Sequence, residues 1–425
     1  MEVNMKRYKL ACVVTAIACT MLCSCNSSDT NKNTTQTNTS NITTEASSEM
    51  TTENTSESTT ETTSENTSET TSETTSETTT EAPSESTTVP TTEPQTEKDT
   101  TPKKTDTDNA PAVTMAFTGD IFFSDSLYGY YTQNGVSGFL SEKVKNNLYN
   151  ADLYIADHEF VCSDRGEMAE YQIYTFRAPA NREVIFKEMG ADVVTLANNH
   201  TLDYGVVALQ DTFSLLNDLE IDYVGAGNNL DEALTPVIRE VNGKRIAIFG
   251  TTRFVPQAFW YATANNPGLL TTYESTAYFG MICDAIANAK KNCDYVLVFT
   301  HFGEEKQNTV EPYQKTVAYG YIDSGADLVV ACHPHVLQGM EFYKGKPIAY
   351  SLGNFLFSNY HSDTVVLNVT INEDNSSSVS LLPCSSQLYK TTDVTGEAAT
   401  NLLEYIESIS FNVDIDKDGN VTERK

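Results

Sequence analysis

Leu328-Val329-Val330-Ala331-Cys332-His333-Pro334-His335 is the stretch on which the fold turns, because a short apolar run stops abruptly at two imidazoles flanking a proline. Four apolar residues rich in β-branching read as a buried strand. Side chains that carry chemistry at the carboxyl end of such a strand sit where open α/β sheets hold their ligands. If the segment stays extended, His333 and His335 point to the same side, since side chains alternate with period two.

The same design recurs upstream. Val113–Phe117 runs into Thr118-Gly119-Asp120, and Asp152–Ala156 into Asp157-His158-Glu159. Asp192–Leu196 runs into Asn198-Asn199-His200 with Asp203 beyond, and Tyr295–Phe299 into His301 and then Glu304-Glu305. Five of the six histidines therefore stand at strand ends. Further strands are expected at Asp222–Val224, Arg245–Phe249 and Ile348–Tyr350. Helices are expected at Glu183–Met189, Val206–Leu219, Thr276–Lys290, Glu311–Ser324 and Asn401–Ile409. This alternation predicts an α/β chain, a layered sandwich of mixed β-sheets with helices outside. Val365–Ile371 and Ser378–Leu382 follow one another without a helix, which predicts an antiparallel end to the sheet.

A set of carboxylate, amide and imidazole donors suits a divalent ion such as Mn, Fe or Zn, one or two of them, and does not resemble a structural thiolate site. Two such ions would clamp a phosphoryl oxygen and activate a water for in-line attack. Cys162, Cys283, Cys293, Cys332 and Cys384 are odd in number with no Cys-x-x-Cys, so free buried thiols are expected, not a disulfide framework.

The pieces FTGD (117–120), DLYIADHEF (152–160), YTFRAP (174–179), NNHTLDYG (198–205), THFGEE (300–305) and HPHVLQGMEFYKGKPIAYSLGNFLF (333–357) stand in family order. On these motifs, residues 113 to 360 resemble the CapA family of poly-γ-glutamate capsule synthesis proteins, whose domain is related to the calcineurin-like metallophosphoesterases. The resemblance implies a metal set of Asp120, Glu159, Asn199, His301, His333 and His335. It implies His200 as an acid near a leaving oxygen, with Asp203 to orient it. Arg177 is either an anion clamp, since guanidinium matches phosphate or carboxylate, or a partner in a surface ion pair. Asn354, after Gly353, either bonds within its own turn or reaches a bound substrate.

The chain departs from the phosphoesterase pattern in two places. Phe122 stands where the histidine of Asp-x-His would be, which leaves one metal position short of a ligand, and Asp157 is an added acidic residue. In an extended second strand, Asp157 and Glu159 face one way and His158 the other, toward packing or the rim. His361 is expected in a solvated loop. The aromatic loop Thr251–Tyr273 either lines a substrate groove or packs as a lid.

The first 112 residues have another character. Lys6, Arg7 and Lys9 precede an apolar run from Leu10 to Leu22 that is too short to span a bilayer comfortably, which reads as a signal peptide over residues 1–25. Leu22-Cys23-Ser24-Cys25 resembles a bacterial lipobox with Cys25 as the acylated residue, which would anchor the chain to the outer leaflet of the cell membrane. Residues 26–112 hold 17 acidic and 4 basic side chains, with a glutamate every fourth position from Glu45 to Glu85. On a helix those glutamates would stack and repel, so a disordered, extended stalk is expected before the folded domain of residues 113–425.

The whole chain carries a formal net charge of −31, which excludes nucleic acid as a partner because phosphate neutralisation needs clustered Lys and Arg. Three functions remain open. The first is an extracytoplasmic CapA-type lipoprotein acting in synthesis, export or anchoring of an anionic capsule polymer, with a metal-dependent hydrolase-like site. The second is a non-catalytic accessory that binds the polymer or its synthase subunits, and the third a surface phosphodiesterase unrelated to capsule.

Overall fold

The computed structural model describes residues 112–170, 172–273 and 276–425. The expected signal peptide, with Cys25, and nearly all of the stalk lie outside the described residues.

Two large mixed sheets face each other. In the first, the parallel strands Val113–Ile121, Leu153–His158, Val193–Thr195 and Asp222–Val224 lie side by side. Ser362–Ile371 and Ser377–Gln387 extend that sheet antiparallel, as the helix-free alternation of the C-terminal segment predicts. The short strands Asn420–Glu423 and Val413–Ile415 complete its far edge. In the second sheet, Lys244–Thr252, Tyr295–His301, Leu328–Cys332 and Lys346–Leu352 run parallel. A hairpin partner closes each side of it, Val237–Val241 at one edge and Leu337–Tyr343 at the other.

Burial explains the layering. All seven residues of Tyr295–His301 are buried, as strands covered on both faces must be. Phe117, Ile155, Val193, Ile248, Leu297, Val330 and Leu352 form one cluster between the sheets, and Phe117 meets Phe299 edge to face at 6.3 Å. Each such side chain contributes roughly 1.5–3 kcal/mol by leaving water. The outer faces pack against helices: Gly205–Asp218 covers the first sheet, and Ala277–Lys290 with Pro312–Asp323 the second. The molecule is a four-layer α/β sandwich.

The expected elements are present, most with ends within three residues of expectation, while Val113–Ile121, Ser377–Gln387 and Glu397–Ser408 each run four or five residues further at one end. The helices Asp125–Asn134 and Glu142–Asn150 lack a sequence signal, because the first is built from Gly, Tyr, Thr and Asn, which are poor helix formers. Ser124 and Ser141 start them instead, each hydroxyl accepting a backbone N–H of the first turn.

Candidate metal centre

The parallel strands of both sheets end at one place. Asp120 is the penultimate residue of one strand, Asp157 lies in the next with Glu159 just past its end, and His301 closes a strand of the opposite sheet. His333 and His335 follow Leu328–Cys332. The approach at Asp120 is made possible by Gly119, where a Cβ would lie 1.8 Å from the Gly353 carbonyl oxygen. Only glycine fits there, and the adjacent Asp120 N–H donates to that same carbonyl at 3.1 Å.

His333 and His335 do converge on the site, but not through an extended segment. Their φ angles are +109° and +59°, and their ring centres are 6.1 Å apart at 49°. The Asp120 carboxylate holds the turn by accepting the His333 N–H at 3.1 Å. Such backbone angles cost of order 1–3 kcal/mol each for non-glycine residues and persist only where the surroundings impose them.

The donors form three overlapping groups, two of which share Glu159: Glu159 with His301 and His333, and Asp120 with Glu159 and His335. The third joins Asp120, Asp157 and His301. His301 Nε2 lies 2.8 Å from Asn199 Oδ1, 3.0 Å from His333 Nδ1 and 3.5 Å from Glu159 Oε1. His335 Nδ1 lies 3.1 Å from Asp120 Oδ2 and 2.9 Å from Asn354 Oδ1. Asp157 holds the His301 ring from behind, its Oδ2 3.0 Å from Nδ1. If Nδ1 carries the proton, Nε2 presents a lone pair to the centre of the first set.

Glu159 supplies the test of fit. It is fully buried, and neither carboxylate oxygen has a hydrogen-bond partner. The His333 Nε2 atom is likewise buried and unpartnered. Leaving such groups unpaired is costly, and a divalent cation is the ligand that satisfies clustered carboxylates and imidazoles together. Burial first, then the charges of Asp120 and Asp157, push the Glu159 carboxyl well above the usual carboxylate range. Burial likewise holds the His333 imidazole well below its ordinary value, in the neutral form a metal ligand needs.

His200 stands beside this cluster on the loop after Val193–Thr195. Its Nδ1 lies 2.7 Å from Asp203 Oδ2, so an Nδ1–H donated there leaves Nε2 for proton exchange. Asp203 also accepts from the Phe176 N–H at 2.7 Å and from Gln172 at 3.0 Å. Asn198 ties the two halves together: it donates to Asp157 at 3.3 Å and to the His158 carbonyl at 2.8 Å, while its own oxygen accepts the His200 N–H at 3.0 Å.

Phe122, in place of a histidine, packs against Phe160, Phe176 and Phe357. His158 faces away from the metal donors, as the alternation requires, with Nε2 2.9 Å from Glu183 and its ring stacked on Phe160. Arg177 is exposed and stacks over Tyr204 at 4.1 Å, with no carboxylate partner among the described residues. Asn354 reaches His335 in addition to pairing beside Asp120. The aromatic loop does two things: Trp260 is buried, while Phe254 lies over the His333 ring at 4.2 Å. His361 is exposed, and all five described cysteines are free, four of them buried. Asp157 and Asn198 are the site residues that sequence reasoning did not place in a role. The period-two alternation with Glu159 was the available signal for Asp157.

This combination of a four-layer sandwich and a carboxylate–histidine cluster at its strand ends defines the class. Residues 114–359 match the model of the bacterial capsule synthesis protein PGA_cap family, and the chain belongs to that family. It is 36% identical over 251 residues to the capsule biosynthesis protein CapA of Bacillus anthracis, covering 58% of this chain and 60% of that protein. It is 33% identical over 264 residues to the PGA biosynthesis protein CapA of Bacillus subtilis strain 168, covering 60% of this chain and 66% of that protein. A probable polyglutamine synthesis accessory protein of Mycobacterium tuberculosis is 29% identical over 210 residues, covering 48% of this chain and 55% of that protein. The chain thus covers 55% to 66% of the length of these three curated relatives.

Proposed function

We propose that this chain acts at the cell surface in the synthesis, export or anchoring of a poly-γ-glutamate-type capsule polymer, and that its strand-end site is a divalent-metal hydrolase centre. Two similar proteins named for capsule or PGA biosynthesis support the biological half. The fully buried Glu159, with neither oxygen hydrogen-bonded and histidine nitrogens 3.5 and 3.8 Å from one of them, carries the chemical half.

Glu159, Asn199, His301 and His333 would hold one ion, and Asp120, Glu159 and His335 a second, weaker one. An ion bound there would polarise a phosphoryl or acyl oxygen and lower the pKa of a bound water. Asp157 fixes the His301 ring, so that its Nε2 faces the donors. Asp203 fixes His200, whose Nε2 gives a proton to a leaving oxygen or nitrogen. Arg177, braced on Tyr204, receives an anionic group of the substrate. A lipid on Cys25 and an extended acidic stalk would place this domain outside the membrane, near synthase subunits and the polymer.

A non-catalytic accessory role is the second reading, and Phe122 favours it, since the residue fills the place of a ligand with an apolar ring. Phosphoester and γ-glutamyl substrates offered to the manganese-loaded chain separate the two. Turnover that His200→Ala removes supports the hydrolase, while capsule function undiminished in that variant supports the accessory.

A further inference from the structure

Asp203 is the point at which a second segment of the chain grips the site. Its buried carboxylate accepts from His200 Nδ1 at 2.7 Å, from the Phe176 N–H at 2.7 Å and from Gln172 Nε2 at 3.0 Å. Its carbonyl accepts the Ala169 N–H at 2.8 Å. Ala169, Gln172 and Phe176 all belong to the loop 163–176, which joins Val161–Cys162 to Arg177–Ala178. Met168, Ile173 and Tyr174 of that loop are exposed, Ile173 to 89%. Burial therefore contributes little to holding its outer part, and the polar bonds to Asp203 fix it.

Gln172 makes one bond more. Its Nε2 also donates to the Asn199 carbonyl at 3.0 Å. A carbonyl and an ionised carboxylate only accept, so both hydrogens of one amide nitrogen are used and the chemistry of the partners sets the orientation of the amide. Asn199 Oδ1 lies 2.8 Å from His301 Nε2, and Asp203 orients His200. One side chain thus ties the backbone of a proposed metal donor to the carboxylate that aims the proposed acid.

Building on the hydrolase reading above, we propose that Gln172 is a positioning residue, which clamps the loop 163–176 across Asn199 and Asp203 and so fixes the spacing between His200 and the metal donors. It acts through Asp203 and His200, and delivery of the His200 proton to the leaving group depends on it. Glutamate has the same shape but would set a carboxylate against two acceptors, so the role belongs to the amide.

Two esters separate this role from a general structural one. Phenolate leaves poorly without a proton, whereas para-nitrophenolate is a weak enough base to leave unaided. In the manganese-loaded full chain, Gln172→Ala is expected to lower kcat for phenyl phosphate by about 10- to 100-fold, with KM and manganese content held. For para-nitrophenyl phosphate the loss should stay below about threefold. Gln172→Glu should recover nothing, and Gln172→Ala should add no loss in a His200→Ala background. Equal losses on the two esters, loss of metal, an undiminished kcat, or a loss that persists without His200 overturns the proposal. A wild type that leaves phenyl phosphate intact refutes the phosphoester form of the hydrolase reading instead. Amide hydrogen exchange over residues 198–205 then decides the clamp: faster exchange in Gln172→Ala supports it, and unchanged protection overturns it.

Discussion

Asp157 Oδ2 lies 3.0 Å from His301 Nδ1 and thereby turns the opposite ring nitrogen toward Asn199, His333 and Glu159. The carboxylate touches the ring from behind, and its effect on the centre is exerted through the orientation and basicity of that imidazole. Asp157→Ala is therefore expected to weaken manganese binding by about 10- to 100-fold without abolishing it. Competition titration with a metal indicator measures this, and unchanged affinity would remove Asp157 from the account.

Glu159 links the site to stability. Burial, followed by the charges of Asp120 and Asp157, raises its carboxyl well above the ordinary value of 4.5. A carboxyl raised on folding is more protonated in the native chain than in the unfolded one. Its contribution to stability therefore falls as pH rises from the ordinary carboxylate range toward the native value. Glu159→Gln removes that dependence. The metal-free variant should melt on the order of a few degrees higher than metal-free wild type at neutral pH, with the gap closing toward about pH 5. A gap that does not vary with pH contradicts this assignment.

On the proposed reading the two donor sets are unequal, because Phe122 stands where the phosphoesterase pattern would have a histidine. His333→Ala should lose nearly all bound manganese, and His335→Ala only the weaker fraction. Phe122→His should raise the metal content of the chain toward two equivalents. Elemental analysis of the three variants decides the matter, and equal losses in the two alanine variants would mean that the sets are not distinct.

How much of this arrangement could be read from the chain follows from what sequence encodes locally. Apolar runs that stop at Asp120, Glu159, Asn199, His301 and His333 are local, and they marked both the sheet and the candidate donors. His158 facing the packing side followed from alternation alone. The convergence of His333 and His335 was foreseen for the wrong reason. Positive φ at both residues is imposed by the Asp120 carboxylate, a partner more than two hundred positions away. Asp157 and Asn198 escaped for the same reason, since their roles exist only once His301 and His200 are brought beside them. The Asp125–Asn134 helix was hidden because its cap and the burial of Leu127 stabilise it where its composition does not.

His200 and Asp203 make a separable prediction. His200→Ala should lower turnover by about 10²- to 10⁴-fold with metal content intact, since its proton, and not a donor atom, is removed. Asp203→Asn should cost less and leave the KM little changed, because the remaining amide oxygen can still accept from His200 Nδ1 and the Phe176 N–H, while only the acceptor for Gln172 is lost. Loss of metal in either variant would place these residues in the metal set.

The most direct test of the central claim is the amount of divalent metal bound per chain in the purified wild type beside His333→Ala. The account predicts roughly one to two equivalents of Mn, Fe or Zn in the wild type, and nearly none in the variant, whose fold is kept. A wild type that binds no metal after reconstitution with manganese or zinc, while remaining folded, would contradict it.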